Sequence, residues 1–413
     1  MQDVVFEKPY TYIPPHRGDW WPSFIQRFRL IDRWLKNSHG IVSYECRHQE
    51  RLEESLRAGH GILLTPNHAR PADPIAMGWL ARECNTHVFA MASWHLYQQD
   101  WFTGFAIKKM GGFSVYREGV DRKALNMSID ALAEAKRPLI IFPEGAVTRT
   151  NDRLNALLEG VAFIARSGAK KRAKQKTDQK VVVHPVAIKY RFHGDLEATL
   201  EPVISEIEQR FSWRVHRQTS SLVDRISRVG KGLLALKEIE YFGRPQEGKL
   251  EDRLNRLIDR LLAPLEEFWI GEPKSGPVVP RVKALRTKIL PEMVAGHLPE
   301  GDRQQRWDQL ADIYLSQQVA SYPPDYIEDE PSVDRLLETV ERYEEDLTDK
   351  VTPHPDLHAI IEVGEPIEVS TKRVRGVEMD PLMVEIEETL QAMLDRLAKE
   401  SPIWKPNMST KTT

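Results

Sequence analysis

The sequence predicts an α/β layer: a largely parallel sheet flanked by helices, then a long helical stretch, then a late return to strand-like residues. Three observations predict it. Between residues 60 and 192, four short apolar runs alternate with stretches of helical periodicity, the pattern of parallel strands joined by right-handed crossovers. From 195 to 355 the periodicity is helical almost throughout. At HAIIEVGEPIEVS, residues 358 to 370, apolar and β-branched residues return.

The first element is the segment DWWPSFIQRFRLIDRWLK, within residues 1–59. Trp20, Trp21, Phe24, Ile25, Phe28, Ile31, Trp34 and Leu35 recur at helical spacing, with Arg27, Arg29, Arg33 and Lys36 largely between them. Such a helix either docks on the protein's own core or lies at a membrane interface among anionic headgroups. The runs GILLTP (61–66), HVFAMAS (87–93), PLIIFPEG (138–145) and VVVHPVAIKY (181–190) read as buried strands. DPIAMGWLARECN, DRKALNMSIDALAEAKR and LNALLEGVAFIARSGAK read as the helices between them. The basic run AKKRAKQKTDQK (169–180) reads as a solvated loop; its functional reading is attraction to anionic headgroups or an acidic carrier protein. Six further helical segments follow. In KLEDRLNRLIDRLLAPLEEFW an unbroken leucine stripe predicts packing of these helices on one another as a small bundle.

Composition limits the function classes. The chain has 413 residues with 41% hydrophobic, 29% charged and a net charge of -3, an ordinary globular balance that gives nucleic acid no electrostatic footprint. Two cysteines, Cys46 and Cys84, form no disulfide framework, which points to a reducing compartment. No run approaches the roughly 18 to 20 apolar residues of a membrane span, and no signal segment is visible, so a cytoplasmic protein is expected.

The chemistry concentrates at NHARPADP, residues 67 to 74, directly after the first buried strand. Strand carboxyl ends are where ligands collect in such sheets. His68 suits a general base near neutral pH, and an aspartate on its other ring nitrogen, Asp73, fixes the tautomer and stabilises the imidazolium. No serine sits in a G-x-S-x-G elbow and neither cysteine is placed as a nucleophile, so the attacking group is expected to be a substrate hydroxyl or amine. A metal-dependent hydrolase using His68, Asp73, His87, His95 or His184 lacks the compact spacing of zinc signatures, and no metal is expected.

GGFSVYR (111–117), FPEGAVTR (142–149) and HPVAI (184–188) follow NHARPADP in order. With these four blocks, residues 60 to 192 resemble the glycerolipid acyltransferase family typified by the lysophosphatidate (1-acylglycerol-3-phosphate) acyltransferases. The resemblance implies an enzyme that moves a fatty acyl group from a coenzyme A or acyl-carrier-protein thioester, a co-substrate rather than a bound cofactor, to a lipid hydroxyl. It implies His68 as general base and Asp73 as its orienter. Arg117, Glu144, Gly145 and Arg149 would bind the acceptor, with Asn67, Gly112 and Pro143 supporting the motifs. It also implies phospholipid biosynthesis and, with the Trp-rich N-terminal helix, peripheral contact with the inner face of a membrane.

Two positions depart from the family's pattern. Ser93 and Trp94 stand where a lysine is usual, with Lys108 and Lys109 the nearest replacements, and Arg149 lies two residues beyond its usual place. An acyltransferase for a non-phosphorylated acceptor therefore stays open, as does a catalytically silent scaffold that keeps the fold. Family members often follow the P-V-A strand with one ending in GEPI and a final helix. Here VGEPI (363–367) and MVEIEETLQAMLDRL (383–397) come late, which implies an acyltransferase core in two parts, 60–194 and 356–400, divided by a helical insertion at 195–355, with a flexible tail at 401–413. The insertion's role and the oligomeric state are left open.

Overall fold

The computed structural model describes residues 8–175, 178–211, 221–296, 298–374, 376–377 and 379–406; part of the expected tail and two residues of the basic run lie outside these. The chain begins with α1 (Trp20–Arg27), α2 (Leu30–His39), β1 (Ile41–Arg47) and α3 (Gln49–Arg57). It continues through β2 (Gly61–Pro66), α4 (Asp73–Glu83), β3 (Phe89–Ser93), α5 (Leu96–Gln99), α6 (Trp101–Lys109), β4 (Gly112–Val115), α7 (Arg122–Glu134), β5 (Leu139–Ile140), α8 (Gly160–Ala173) and β6 (Val181–Phe192). Then come α9 (Leu196–Arg210), α10 (Leu222–Phe242), α11 (Leu250–Ile270), α12 (Val278–Ala295), α13 (Glu300–Ala320) and α14 (Val333–Thr348), followed by β7 (Leu357–Val363), β8 (Ile367–Glu368) and α15 (Pro381–Ala398).

The strands form one sheet in the order β1, β7, β6, β2, β5, β3, β4, with β8 also beside β6. The run from β6 to β4 is parallel throughout. β7 pairs antiparallel with β6, setting Leu357 opposite Phe192 and Val363 opposite Val186, and β1 pairs parallel with β7. The late GEPI segment thus returns to the sheet that NHARPADP leaves.

Period-two alternation divides the core. Ile62 and Leu64 of β2 face one layer, with Leu35, Leu52, Leu80, Leu200, Ile226 and Leu337 from α2, α3, α4, α9, α10 and α14. Leu63 faces the other, with Leu132, Ile164 and Ile386 from α7, α8 and α15. Helices therefore cover both faces, as a parallel sheet requires.

Four sequence readings need correction. Strands β1 and β4 come in addition to the four expected runs; the sequence does not mark them, because IVSYECR mixes in charge and GFSV is only four residues long. The N-terminal stripe is two helices, broken at Phe28 and Arg29, where Arg29 takes a φ of 48°. The basic run is partly helical: α8 continues to Ala173, and buried Arg172 donates to the carbonyls of Ala133 and Gly59 at 2.6 and 2.5 Å. Finally, the helices after β6 do not all pack on one another. α9, α14 and the first part of α10 join the sheet's core, whereas Leu234 in the second half of α10 joins Leu257, Leu261, Leu285, Ile289 and Ile313 of α11, α12 and α13 in a separate core.

Candidate active site

β2 ends at Pro66, and the next two residues fix the site. The Asn67 side chain is buried and pairs with β6 in both directions, donating to the Ile188 carbonyl at 3.0 Å and accepting from the Ile188 N–H at 2.6 Å. This clamp holds the chain as it leaves the sheet. His68 follows, its ring 4.2 Å from that of Phe142. Its Nδ1–H donates to Asp73 Oδ2 at 2.9 Å. Asp73 opens α4 with a completely buried side chain and also accepts the Arg70 N–H at 2.8 Å and the Tyr190 hydroxyl at 2.6 Å. Burial beside that carboxylate pushes the Tyr190 phenol well up, which keeps it a donor. With Nδ1 committed, Nε2 of His68 carries the lone pair. That is the arrangement of an oriented general base.

The FPEG turn locks behind the histidine. Glu144 is buried; Oε1 accepts the His68 backbone N–H at 2.7 Å and Oε2 the Asn155 N–H at 2.8 Å. Burial pushes its carboxyl up to about 8, against the opposing effect of these two donors. The second donor explains another misread boundary: residues 154–159 were expected to be helical, but α8 starts only at Gly160, after the chain has looped past Glu144. Gly145 has a φ of +69°, and an added Cβ would meet Leu158 at 2.5 Å and lie 3.8 Å from Arg117 Nη2. The Arg117 guanidinium therefore stands beside the FPEG turn. Pro143, buried, accepts the Leu158 N–H at 2.9 Å. Gly112 begins β4 where an added Cβ would come within 2.4 Å of Ile107.

Arg149 is placed differently from the expectation of an acceptor ligand. Its Nε and Nη2 form a forked ion pair with Glu345 of α14, at 2.8 and 2.7 Å, so the fork is turned to the protein's own carboxylate. The backbone around it is pinned to the histidine segment: the Thr148 N–H donates to the His68 carbonyl at 2.8 Å and the Arg149 N–H to that of Ala69 at 3.1 Å. Ser93, in the position of the usual lysine, directs its hydroxyl to His95 Nδ1 at 3.1 Å. Lys109 does not fill the gap, since its ammonium stacks over Trp21 and Phe105, 5.4 Å from each centroid. His184 is spent on Ser55 and the Gly364 carbonyl, at 2.9 and 3.0 Å. Among the described residues, no three His, Cys, Asp or Glu side chains are grouped to hold a metal.

Several site residues were missed. Tyr190 follows the HPVAI motif by two residues, and a polar tip late in a buried strand was the available signal. Most of the others come from α14. Glu341 pairs with Arg70 at 2.6 Å, Arg342 donates to the Thr148 carbonyl, and Glu338 accepts the Asn151 N–H at 3.1 Å. Asp152 and Lys189 pair in full burial, and Asp152 also accepts from Arg335 at 2.8 Å.

Comparison with known proteins gives one result for this arrangement. Residues 45–189 match the family model described as Acyltransferase. No curated protein matches the chain.

Proposed function

We propose, from the match of residues 45–189 to the acyltransferase family model, that the protein moves a fatty acyl group from a coenzyme A or acyl-carrier-protein thioester to a lipid hydroxyl, lysophosphatidate or a related glycerolipid. The observation that carries this reading is the His68–Asp73 pair, with Nε2 free at the carboxyl end of the sheet. His68 Nε2 takes the proton of the acceptor hydroxyl, and the oxygen attacks the thioester carbonyl. The tetrahedral intermediate then collapses, the C–S bond breaks, and the departing thiolate takes the proton back from the imidazolium. Asp73 offsets the imidazolium charge while it exists. Arg117 and the Glu144–Gly145 turn line the acceptor side.

The same reading includes peripheral contact with the inner face of a membrane, as expected of an enzyme of phospholipid biosynthesis. Trp101 and Phe102 of α6 are 78% and 65% exposed, and Trp20 and Phe28 at α1 are 64% and 62% exposed. Trp21 and Trp101 meet across Phe105, at centroid distances of 5.4 and 5.3 Å, which joins the two helices in one aromatic surface. Arg27, Arg29, Arg33, Lys108 and Lys109 supply its positive charge, the combination that favours anionic headgroups. Among the described residues no helix is long and apolar enough to cross a membrane.

The test is free-thiol release from acyl thioesters in the presence of lysophosphatidate or a non-phosphorylated acceptor. His68→Ala should reduce acceptor-dependent release by about 10² to 10⁴, the usual contribution of a general base. Full turnover in that variant would refute the assignment. No turnover in wild type across a broad panel would favour a silent scaffold.

A further inference from the structure

α12 brings positive charge to the site from outside the family match. Its Arg286 donates to Glu118 Oε1 at 2.8 Å, and Glu118 is buried, so this ion pair pins α12 against the segment that follows β4. Lys283 lies three residues earlier on the same helix, hence on the same face one turn back. Arg117 lies next to Glu118 in sequence, with its guanidinium beside Gly145 of the FPEG turn. Lys283 and Arg117 are close enough for their charges to interact.

The charges around this point do not cancel. Arg117, Lys283 and Arg286 contribute three cations and Glu118 one carboxylate, whose Oε1 Arg286 already holds. Among the described residues neither Arg117 nor Lys283 has an ion pair or a side-chain hydrogen bond, and both remain open to solvent. Partial loss of water pushes both groups below their usual values, and a neighbouring cation adds to this, Arg286 for Arg117 and Arg117 for Lys283. His95, which also faces Glu118, Arg286 and Arg117, is pushed to about 4 by burial, so it adds no charge near neutral pH. Two unpaired cations held together repel each other unless an anion lies between them.

We infer that Lys283 of α12 and Arg117 together form a phosphate-binding site at the mouth of the active site, with Lys283 supplying the cation that Ser93 does not. The inference rests on the acyltransferase reading only for the choice of ligands. In that reaction a phosphate arrives from two sources, the headgroup of a phosphorylated acceptor and the nucleotide end of coenzyme A. A guanidinium fork and a mobile ammonium suit either one.

Calorimetric titration of the full chain with glycerol 3-phosphate and, separately, with adenosine 3′,5′-bisphosphate tests the site without turnover. Wild type should bind one of them, Lys283→Ala should weaken that binding about ten-fold, and Lys283→Arg should restore most of it, as for one charge-assisted hydrogen bond. The ligand that shows the loss identifies the source. Binding of neither ligand, or equal binding in wild type and Lys283→Ala, overturns the inference. Lys283-dependent binding in a protein that releases no thiol from any thioester would refute the acyltransferase reading and leave the phosphate site standing.

Discussion

α14 and α12 both lie beyond the family match and both reach the site, yet they are built in opposite ways. α14 is buried from Leu336 to Tyr343 without interruption, and its charged side chains are consumed by the protein itself: Glu341 by Arg70, Glu345 by Arg149, Arg342 by the Thr148 carbonyl. α12 belongs to the separate core of α11 to α13 and, among the described residues, reaches the site through the ion pair of Arg286 with Glu118, with no ion pair for Lys283. Buried ions need partners within the fold, and exposed ones are free to take them from a ligand. The contrast teaches that one helix holds the loop that carries Thr148 and Arg149, while the other leaves a cation available to a ligand.

The largest expected effect breaks α14's side of this contrast. Asp152→Ala removes the partner of fully buried Lys189, leaves it only Asp334 at 3.5 Å, and frees Arg335. Breaking a buried pair costs about 3 to 5 kcal/mol. Chemical denaturation should show that loss together with a fall in thioester turnover, because the same loop carries Thr148 and Arg149 against His68. Unchanged stability would mean that α14 does not clamp the loop.

A smaller effect is expected on the other side. Leu261 is buried in the α11–α13 core, and Leu261→Ala should cost about 2 to 5 kcal/mol there. Because that core is separate, unfolding should resolve into two transitions with only one displaced, and phosphate affinity should fall as in Lys283→Ala. A single shifted transition would mean that the two cores unfold as one.

The difference between the helices also marks where sequence reasoning stopped. The site's first layer was legible: His68 and Asp73 are linked within one short loop, FPEG follows the end of β5, and Arg117 lies just beyond β4 within GGFSVYR, so the parallel sheet brings these segments to one edge. GILLTP was legible to the residue because a short apolar run bounded by Gly and Pro suits a buried strand. α14 was not legible as part of the site. Glu338, Glu341, Arg342 and Glu345 recur at the spacing of one helical face, and a charged face ordinarily reads as solvated. Their partners, Asn151, Arg70, Thr148 and Arg149, are more than a hundred residues away, and nothing in either segment announces the other. The same holds for Lys283, whose meaning depends on Arg286 finding Glu118 across 168 positions.

A last effect separates the helices by pH. Glu338 of α14 is pushed up to about 8, first by burial and then by the Asp152 carboxylate, while it accepts from the Tyr326 hydroxyl and the Asn151 N–H. A carboxyl whose folded pKa lies above its unfolded value, about 4.3, contributes its full stability at low pH. It loses that stability as pH rises through the unfolded value toward the folded one. Glu338→Gln keeps an acceptor and removes the titration, so from pH 5 to 8 its melting temperature should fall less than that of wild type. Only the difference between the two proteins is informative, since His39 and His95, pushed to about 4, act with the opposite sign in both. Lys283→Ala removes no carboxyl, so its slope over the same range should follow wild type. Parallel slopes for wild type and Glu338→Gln would place Glu338 among carboxylates already ionised in the folded protein, and Lys189, Arg70 and α14's own Arg335 would then have one more buried negative charge to offset.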